Sequence, residues 1–255
     1  MRTYRDLCGI ARALDVVGER WALLVVRELL FGPKRFADLH RGLPGMSQNV
    51  LTQRLRELEE SGVLLRRRGL PPVTGLVYEL TDAGHALEPV LLALGRWGSP
   101  LPPGPESARE LSSDALVVAL RTTFDPAEAG GLRARVQLRL PDDAFVLTVR
   151  GARFDAVRGE APGDATVAGQ VLAIQELVFD GRPLSDAVRT GTVSVDGDAG
   201  LLARVLATFR RPVADHGVLS DQGQAYEAAW QGWEVSGDEA AWSVTSADGV
   251  ADAAR

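Results

Sequence analysis

The sequence predicts an α+β protein in two parts: a helical first half closed by a β-hairpin, and a second half that mixes strands and helices. Three observations lead there. Up to Gly62, apolar residues recur mainly at helical spacing. Gly98-Ser-Pro-Leu-Pro-Pro-Gly-Pro-Glu-Ser107 concentrates proline and glycine, the composition of a semi-rigid linker. Beyond it, Leu132-Arg-Ala-Arg-Val-Gln-Leu-Arg-Leu140 alternates strictly, as a half-buried strand does.

Taken in order, Leu7 to Val17 and Trp21 to Leu30 each place apolar residues on one helical face. Gly32-Pro33 ends the second helix, and Pro33 suits the first turn of a third over Lys34 to Arg41. Gly42-Leu-Pro-Gly45 makes a turn, and Ser47 caps a fourth helix. After Gly62 the pattern becomes that of strands, Val63 to Arg68 and Leu76 to Leu80, joined around Gly69 to Gly75. Thr81-Asp-Ala-Gly opens a last helix, Asp82 to Trp97. Three helices, a hairpin and a closing helix, with one helix in front, make a winged helix-turn-helix over residues 1–98.

Residues 99–106 form the linker and 107–211 a second domain. There, Asp114 to Thr123 reads as a helix, Phe145 to Arg150 and Arg153 to Arg158 as strands, and Val167 to Phe179 as a helix. Gly191 to Val195 reads as a strand and Asp198 to Phe209 as a helix. Residues 212–255 are an accessory aromatic segment and an acidic tail, in which Trp230, Trp233 and Trp242 are expected to cover an apolar surface.

Charge divides along the same boundary. The net charge of −6 combines a first half of 14 basic and 11 acidic residues with a second half of 14 and 23. A polyanionic partner therefore belongs to the first half. Of the 28 basic residues all but Lys34 are arginine, which a GC-rich coding sequence also explains. No stretch reaches the roughly 18 apolar residues of a membrane span, and the N-terminus lacks the apolar region of a secretory signal, so a cytoplasmic protein is expected. Cys8 stands alone, so no internal disulfide forms. There is no phosphate-binding Gly-Lys loop or dinucleotide fingerprint. His40, His85 and His216 are dispersed, without metal-ligand spacing. Asp142-Asp143 reads as a turn, and no nucleophile elbow surrounds Ser220 near Asp215 and His216. No enzyme and no cofactor is expected.

The fourth helix carries the functional signal. At about 100° per residue, Leu51, Leu55 and Leu58 share a narrow inward arc. The opposite face offers Asn49, Thr52, Gln53 and Arg56, with Ser47 and Gln48 at the helix start. Such side chains reach base edges and phosphates. Arg66, Arg67 and Arg68 follow on the hairpin, where they either discourage sheet-edge pairing or contact phosphates, the second reading being preferred. Lys34 and Arg35, at a helix N-terminus, are expected to hold neighbouring phosphates.

Residues 5–98 closely resemble the bacterial HxlR-type winged-helix regulators. The resemblance is carried by Cys8, Gly18-Glu-Arg-Trp21, Phe31-Gly-Pro33, Arg35-Phe36 and Leu51-Thr-Gln-Arg-Leu55. It implies a homodimer built from the first and last helices of this half, with two recognition helices in successive major grooves about 34 Å apart. Double-stranded DNA bearing an inverted-repeat operator is the partner this implies. The wing tip, Val73-Thr-Gly75, departs from the pattern by lacking further basic residues. Cys8 has two readings: an oxidant-sensing thiol flanked by Arg5 and Arg12, or a small apolar residue at the dimer interface. The second is favoured.

Residues 107–210 resemble the sterol carrier protein type 2 domain. The resemblance rests on the run 164–209, with its strand, helix, short helix, Gly191-Thr-Val-Ser-Val-Asp-Gly-Asp198 signature and apolar final helix. It implies an apolar pocket between helices and sheet, lined by Val171, Ile174, Leu177, Val178, Leu202, Val205, Leu206 and Phe209. An ordinary filled core is the competing reading of the same stripes. The expected function is a homodimeric DNA-binding regulator whose operator affinity responds to an apolar or aromatic small molecule in the second half. The alternative is a lipid or small-molecule carrier whose helical half mainly dimerises.

Overall fold

Apolar stripes at helical spacing become α1 (Gly9–Val17) and α2 (Ala22–Leu29) in a computed structural model that describes residues 3–69, 75–101 and 111–209. Helix α2 seals Val25, Val26 and Leu29 completely. It is followed by α3 (Phe36–Gly42) and α4 (Gln48–Glu60), and then by β1 (Leu64–Arg68) and β2 (Leu76–Leu80), an antiparallel wing. Helix α3 begins later than its sequence suggests. Lys34 instead exchanges backbone hydrogen bonds with Tyr78, at 3.0 and 2.8 Å, adding a third short segment to the wing. Pro33 thus precedes an extended residue rather than opening a helix.

The closing helix divides into α5 (Asp82–His85), capped by Thr81 Oγ1, and α6 (Glu88–Gly98). Pro89 lies in the first turn of α6, where its missing N–H costs nothing, whereas in a continuous helix the same proline would break a hydrogen bond.

The second half opens with α7 (Ser113–Thr123) and α8 (Pro126–Ala129). A meander follows: β3 (Arg133–Arg139), β4 (Ala144–Arg150) and β5 (Arg153–Arg158). Next come β6 (Ala165–Gly169), α9 (Val171–Phe179), α10 (Leu184–Arg189), β7 (Val193–Gly197) and α11 (Ala199–Leu206). The expected start of a helix at Val167 is therefore a strand. Val167 pairs in parallel with Leu138 and antiparallel with Val195, because its β-branched run sits between two strands that both need a partner. The sheet order is β5-β4-β3-β6-β7, with β3 and β6 the parallel pair.

One face of this sheet builds the second core, in which Val136, Leu138, Phe145, Leu147 and Val167 meet Ile174 of α9 and Leu202 of α11. A first core surrounds α2 and α4. The two are not isolated. Val118 of α7 belongs to the first core, and Phe31, which ends the helical segment before Gly32, packs on both. All described residues fall in one compact unit, Met1–Pro212. Most of the linker, the wing tip at 70–74 and the tryptophans of the last segment lie outside the described residues. No helix among the described residues is long and apolar enough to cross a membrane.

Candidate nucleic-acid interface

Helix α4 is amphipathic as its sequence requires. Leu51, Leu55 and Leu58 are buried to 1% exposure or less, and Ser47 Oγ caps the helix by accepting from Val50 N at 3.4 Å. Gln48, Asn49, Thr52 and Arg56 stand in solvent. The Thr52 hydroxyl donates to the Gln48 carbonyl at 2.8 Å, which fixes its rotamer and leaves an oxygen lone pair outward. Gln53 is less available. It is half-buried, and its Nε2 donates to Glu57 Oε1 at 2.6 Å. Arg54, between the two faces, pairs with Glu57 and, at 3.6 Å, with Glu19.

On the wing the three arginines separate by strand alternation. Arg66 and Arg68 are exposed opposite Tyr78 and Leu76. Arg67 turns to the other side and places its Nε 2.5 Å from Glu79 Oε2. That hydrogen bond, opposed by desolvation and reinforced by the attraction of opposite charges, holds the Glu79 carboxyl below its ordinary range and the Arg67 guanidinium above its own. Arg67 is thus already neutralised, and the free positive charge of the wing is that of Arg66 and Arg68. At the start of α3, Arg35 is exposed and loosely paired with Asp38 at 3.4 Å.

A family model described as HxlR-like helix-turn-helix matches residues 16–103. The uncharacterized HTH-type transcriptional regulator YvaP of Bacillus subtilis is 40% identical over 90 residues, which are 34% of this chain and 82% of YvaP. The chain belongs to the HxlR-like helix-turn-helix family. An uncharacterized HTH-type regulator of Mycobacterium tuberculosis is 41% identical over 98 residues, 38% of this chain and 61% of that protein. The crystal structure of quinone-bound YodB from B. subtilis shares 34% identity over 35% of this chain and 93% of its own, with a TM-score of 0.31. As a member of the HxlR-like family, the protein is a DNA-binding transcriptional regulator carrying a winged helix-turn-helix.

Within this HxlR-like domain, Lys34 does not serve as expected. Its Nζ sits 2.9 Å from Glu28 Oε2 and 2.5 Å from Asp114 Oδ2, and both carboxylates are sealed from solvent. Glu28 also accepts from Arg27 at 2.9 Å and from Ser112 Oγ at 2.6 Å. Asp114 accepts from Arg158 at 2.6 Å, and Arg158 pairs further with Asp143. Three cations and three carboxylates thus form one network joining α2, the wing and α7 to β5. A lysine committed to two buried anions has no charge left for a phosphate. Sequence reading missed Glu28 and Asp114. The one available signal was that Glu28 lies within the leucine-rich inward run of α2, where an acid requires a partner.

Cys8 is exposed at the start of α1, with its N–H bonded to Asp6 Oδ1 at 2.8 Å. The residues expected to line a pocket in the second half belong to its core. Val171, Ile174, Leu177, Val178, Leu202, Val205 and Phe209 are buried members of a continuous core, with Leu206 packed against it. They cluster with one another and with the sheet residues Val136, Leu138, Phe145 and Val167. No group of three potential metal ligands occurs among the described residues.

Proposed function

We propose that the protein is a homodimeric regulator that inserts α4 into the major groove, each protomer reading one half of an inverted repeat. The observation that carries this reading is the division of α4 into a leucine face sealed in the core and an outward face of Gln48, Asn49, Thr52 and Arg56. Ser47, at the helix start, joins this readout, and Gln53 joins it on release from Glu57. Arg35, Arg66 and Arg68 supply phosphate contacts, and with them a salt-dependent affinity.

Homodimerisation is supported by unpartnered apolar residues on the two helices flanking the domain. Ile10 and Leu14 lie at helical spacing along α1, with Leu7 just before it, Val90, Leu94 and Trp97 do so along α6, and all are exposed. Apolar patches of this kind mark interfaces. The second half is read as a non-catalytic, sterol-carrier-like effector domain. Its route to the DNA-binding half is the contact of Phe31 with Phe145, edge to face at 5.5 Å, under the guanidinium of Arg121 at 4.9 Å.

Gel shift of the chain's own upstream region, followed by anisotropy across a salt series, tests the reading. Asn49→Ala should weaken the cognate site and leave scrambled DNA unchanged. A double Arg66→Ala/Arg68→Ala variant should weaken both and flatten the salt slope by roughly two phosphate contacts. Ile10→Glu should give a monomer in sedimentation, with loss of cooperative operator binding. A chain that shifts no duplex, or a wild type that sediments as a monomer, overturns it.

A further inference from the structure

The outer face of the five-stranded sheet holds a group of arginines that the helix-turn-helix does not use. Residues 101–209 carry fewer basic than acidic residues, yet Arg133, Arg135, Arg139, Arg150 and Arg153 all fall on this one face by strand alternation. Register makes the crowding specific. Arg133 lies directly opposite Arg150, and Arg150 directly opposite Arg153. Adjacent strands are about 4.8 Å apart, so three guanidinium stems emerge within about 10 Å. Like charges in directly opposed positions destabilise a sheet. The guanidinium groups of Arg133, Arg135, Arg150 and Arg153 have no ion-pair partner among the described residues, although the Asp164 carboxylate accepts from the Arg135 backbone N–H at 2.7 Å. Asp155, the acid of the neighbouring row, is drawn instead to Arg121 at 3.1 Å.

The same face is concave. Gln137, 2% exposed, ties down the segment after β5. Its Nε2 donates to the carbonyls of Phe145 and Gly159 at 3.1 and 3.2 Å, and its Oε1 accepts from Ala161 N at 2.8 Å. The tethered segment forms one wall of a concavity of about 690 Å³. Val146 and Val157, paired across β4 and β5, form an apolar floor beside Thr148. Arg135, Arg150 and Arg153 line it too, together with two carboxylates, Asp155 and Glu160, the second of which pairs with Arg139 at 3.5 Å. The volume suits a small molecule. The residues ask for two features in one ligand: a doubly negative group that forked guanidinium donors bind in pairs, and an apolar body to cover the valines.

We propose that this sheet face is the binding site for a small organic dianion, such as a phosphomonoester or a dicarboxylate, with its charged end on Arg150 and Arg153 and its apolar end on Val146 and Val157. The inference gives a site and a ligand class to the effector half, and rests on the regulator reading only for the consequence of binding. Its test therefore uses no operator DNA in the binding step.

Phenyl phosphate is titrated into the full-length protein by calorimetry, beside inorganic phosphate and a short duplex of scrambled sequence. The expected result is saturable binding of phenyl phosphate, at least tenfold tighter than inorganic phosphate. Arg150→Gln/Arg153→Gln should weaken it at least tenfold, and Arg189→Gln, on exposed α10, should leave it unchanged. Without ligand the double variant should melt no lower than wild type, since it relieves repulsion. Absence of saturable binding, equal affinity for inorganic phosphate, an equal loss in Arg189→Gln, or displacement by the scrambled duplex would each overturn the proposal. Operator binding by the double variant, measured separately, keeps a failure here distinct from a failure of the regulator reading.

Discussion

Lys34 Nζ lies 2.5 Å from Asp114 Oδ2, across 80 positions of sequence. The contact joins the residue that begins the wing to the first turn of the helix that opens the second half. With Glu28 on its other side, Lys34 is the shared cation of two carboxylates that are each 0% exposed. Removing one partner from a buried ionic cluster strands the others, which costs far more than the pair contributes over a matched apolar replacement.

Lys34→Met should therefore act through stability. A loss of about 3–5 kcal/mol in urea denaturation is expected, on the scale of broken buried ion pairs. If Lys34 were a phosphate contact, stability would hold and only the salt slope of DNA binding would fall. The two outcomes separate cleanly.

Gly42→Ala probes the same cluster from α3. A Cβ at Gly42 would overlap Glu28 Oε2, and that carboxylate is pinned by Arg27, Lys34 and Ser112. Alanine favours a helix over glycine by roughly 1 kcal/mol. Here it should nonetheless destabilise by about 1–3 kcal/mol, the usual range for overpacking. A variant as stable as wild type in thermal melts would show that Glu28 is free to move.

Gly95→Val tests whether the two halves are held in one arrangement. A Cβ at Gly95 of α6 would stand 3.0 Å from the Thr122 hydroxyl and methyl on α7. A branched side chain should wedge the helices apart, lowering the melting temperature and raising protease cleavage in the 99–110 segment. Unchanged cleavage would count against a fixed contact.

Leu55→Ala and Asn49→Ala should have opposite readouts on one helix. The first removes a side chain 1% exposed and should cost about 2–5 kcal/mol of stability. The second should change stability by no more than about 0.5 kcal/mol, while reducing discrimination between cognate and altered sites by about 1–3 kcal/mol.

Acid should loosen the wing through Glu79. Its folded-state pKa is lowered, chiefly by the hydrogen bond from Arg67. The stability it contributes is then present above its unfolded value, about 4.3, and is lost as pH falls through the lowered folded value. Glu79→Gln should remove that part of the acid limb and leave neutral stability little altered, because solvent reaches about a third of each side chain and screens the pair. Amide exchange of β1 and β2 between pH 5 and 3 reports the effect.

The outward face of α4 was legible in the sequence because a helix of known start and period needs no other part of the chain to define its two sides. Strands β3, β4, β5 and β7 were legible for the same reason, Leu132 to Leu140 by alternation alone, whereas the five residues of β6 were too few to separate from the helix that follows and were read as its start. Lys34 was misjudged because its position after Pro33 suggested a helix N-terminus, while its true partners, Tyr78, Glu28 and Asp114, are remote or on another element. The apolar stripes of α9 and α11 named a buried face correctly, but not whether the space beneath was filled.

Local periodicity by itself determined most of the helices and strands and which side of each is apolar, since these follow from the backbone repeat. The start of α3 and strand β6 were set by contacts remote in sequence, and the closing helix splits before Pro89. Only the tertiary structure decided which charges are spent and which are free. Arg67 and Lys34 are neutralised by carboxylates brought near through folding, whereas Arg150 and Arg153 are set side by side by a strand register. Electrostatic energy depends on distance in space and on burial, and neither is a property of position along the chain.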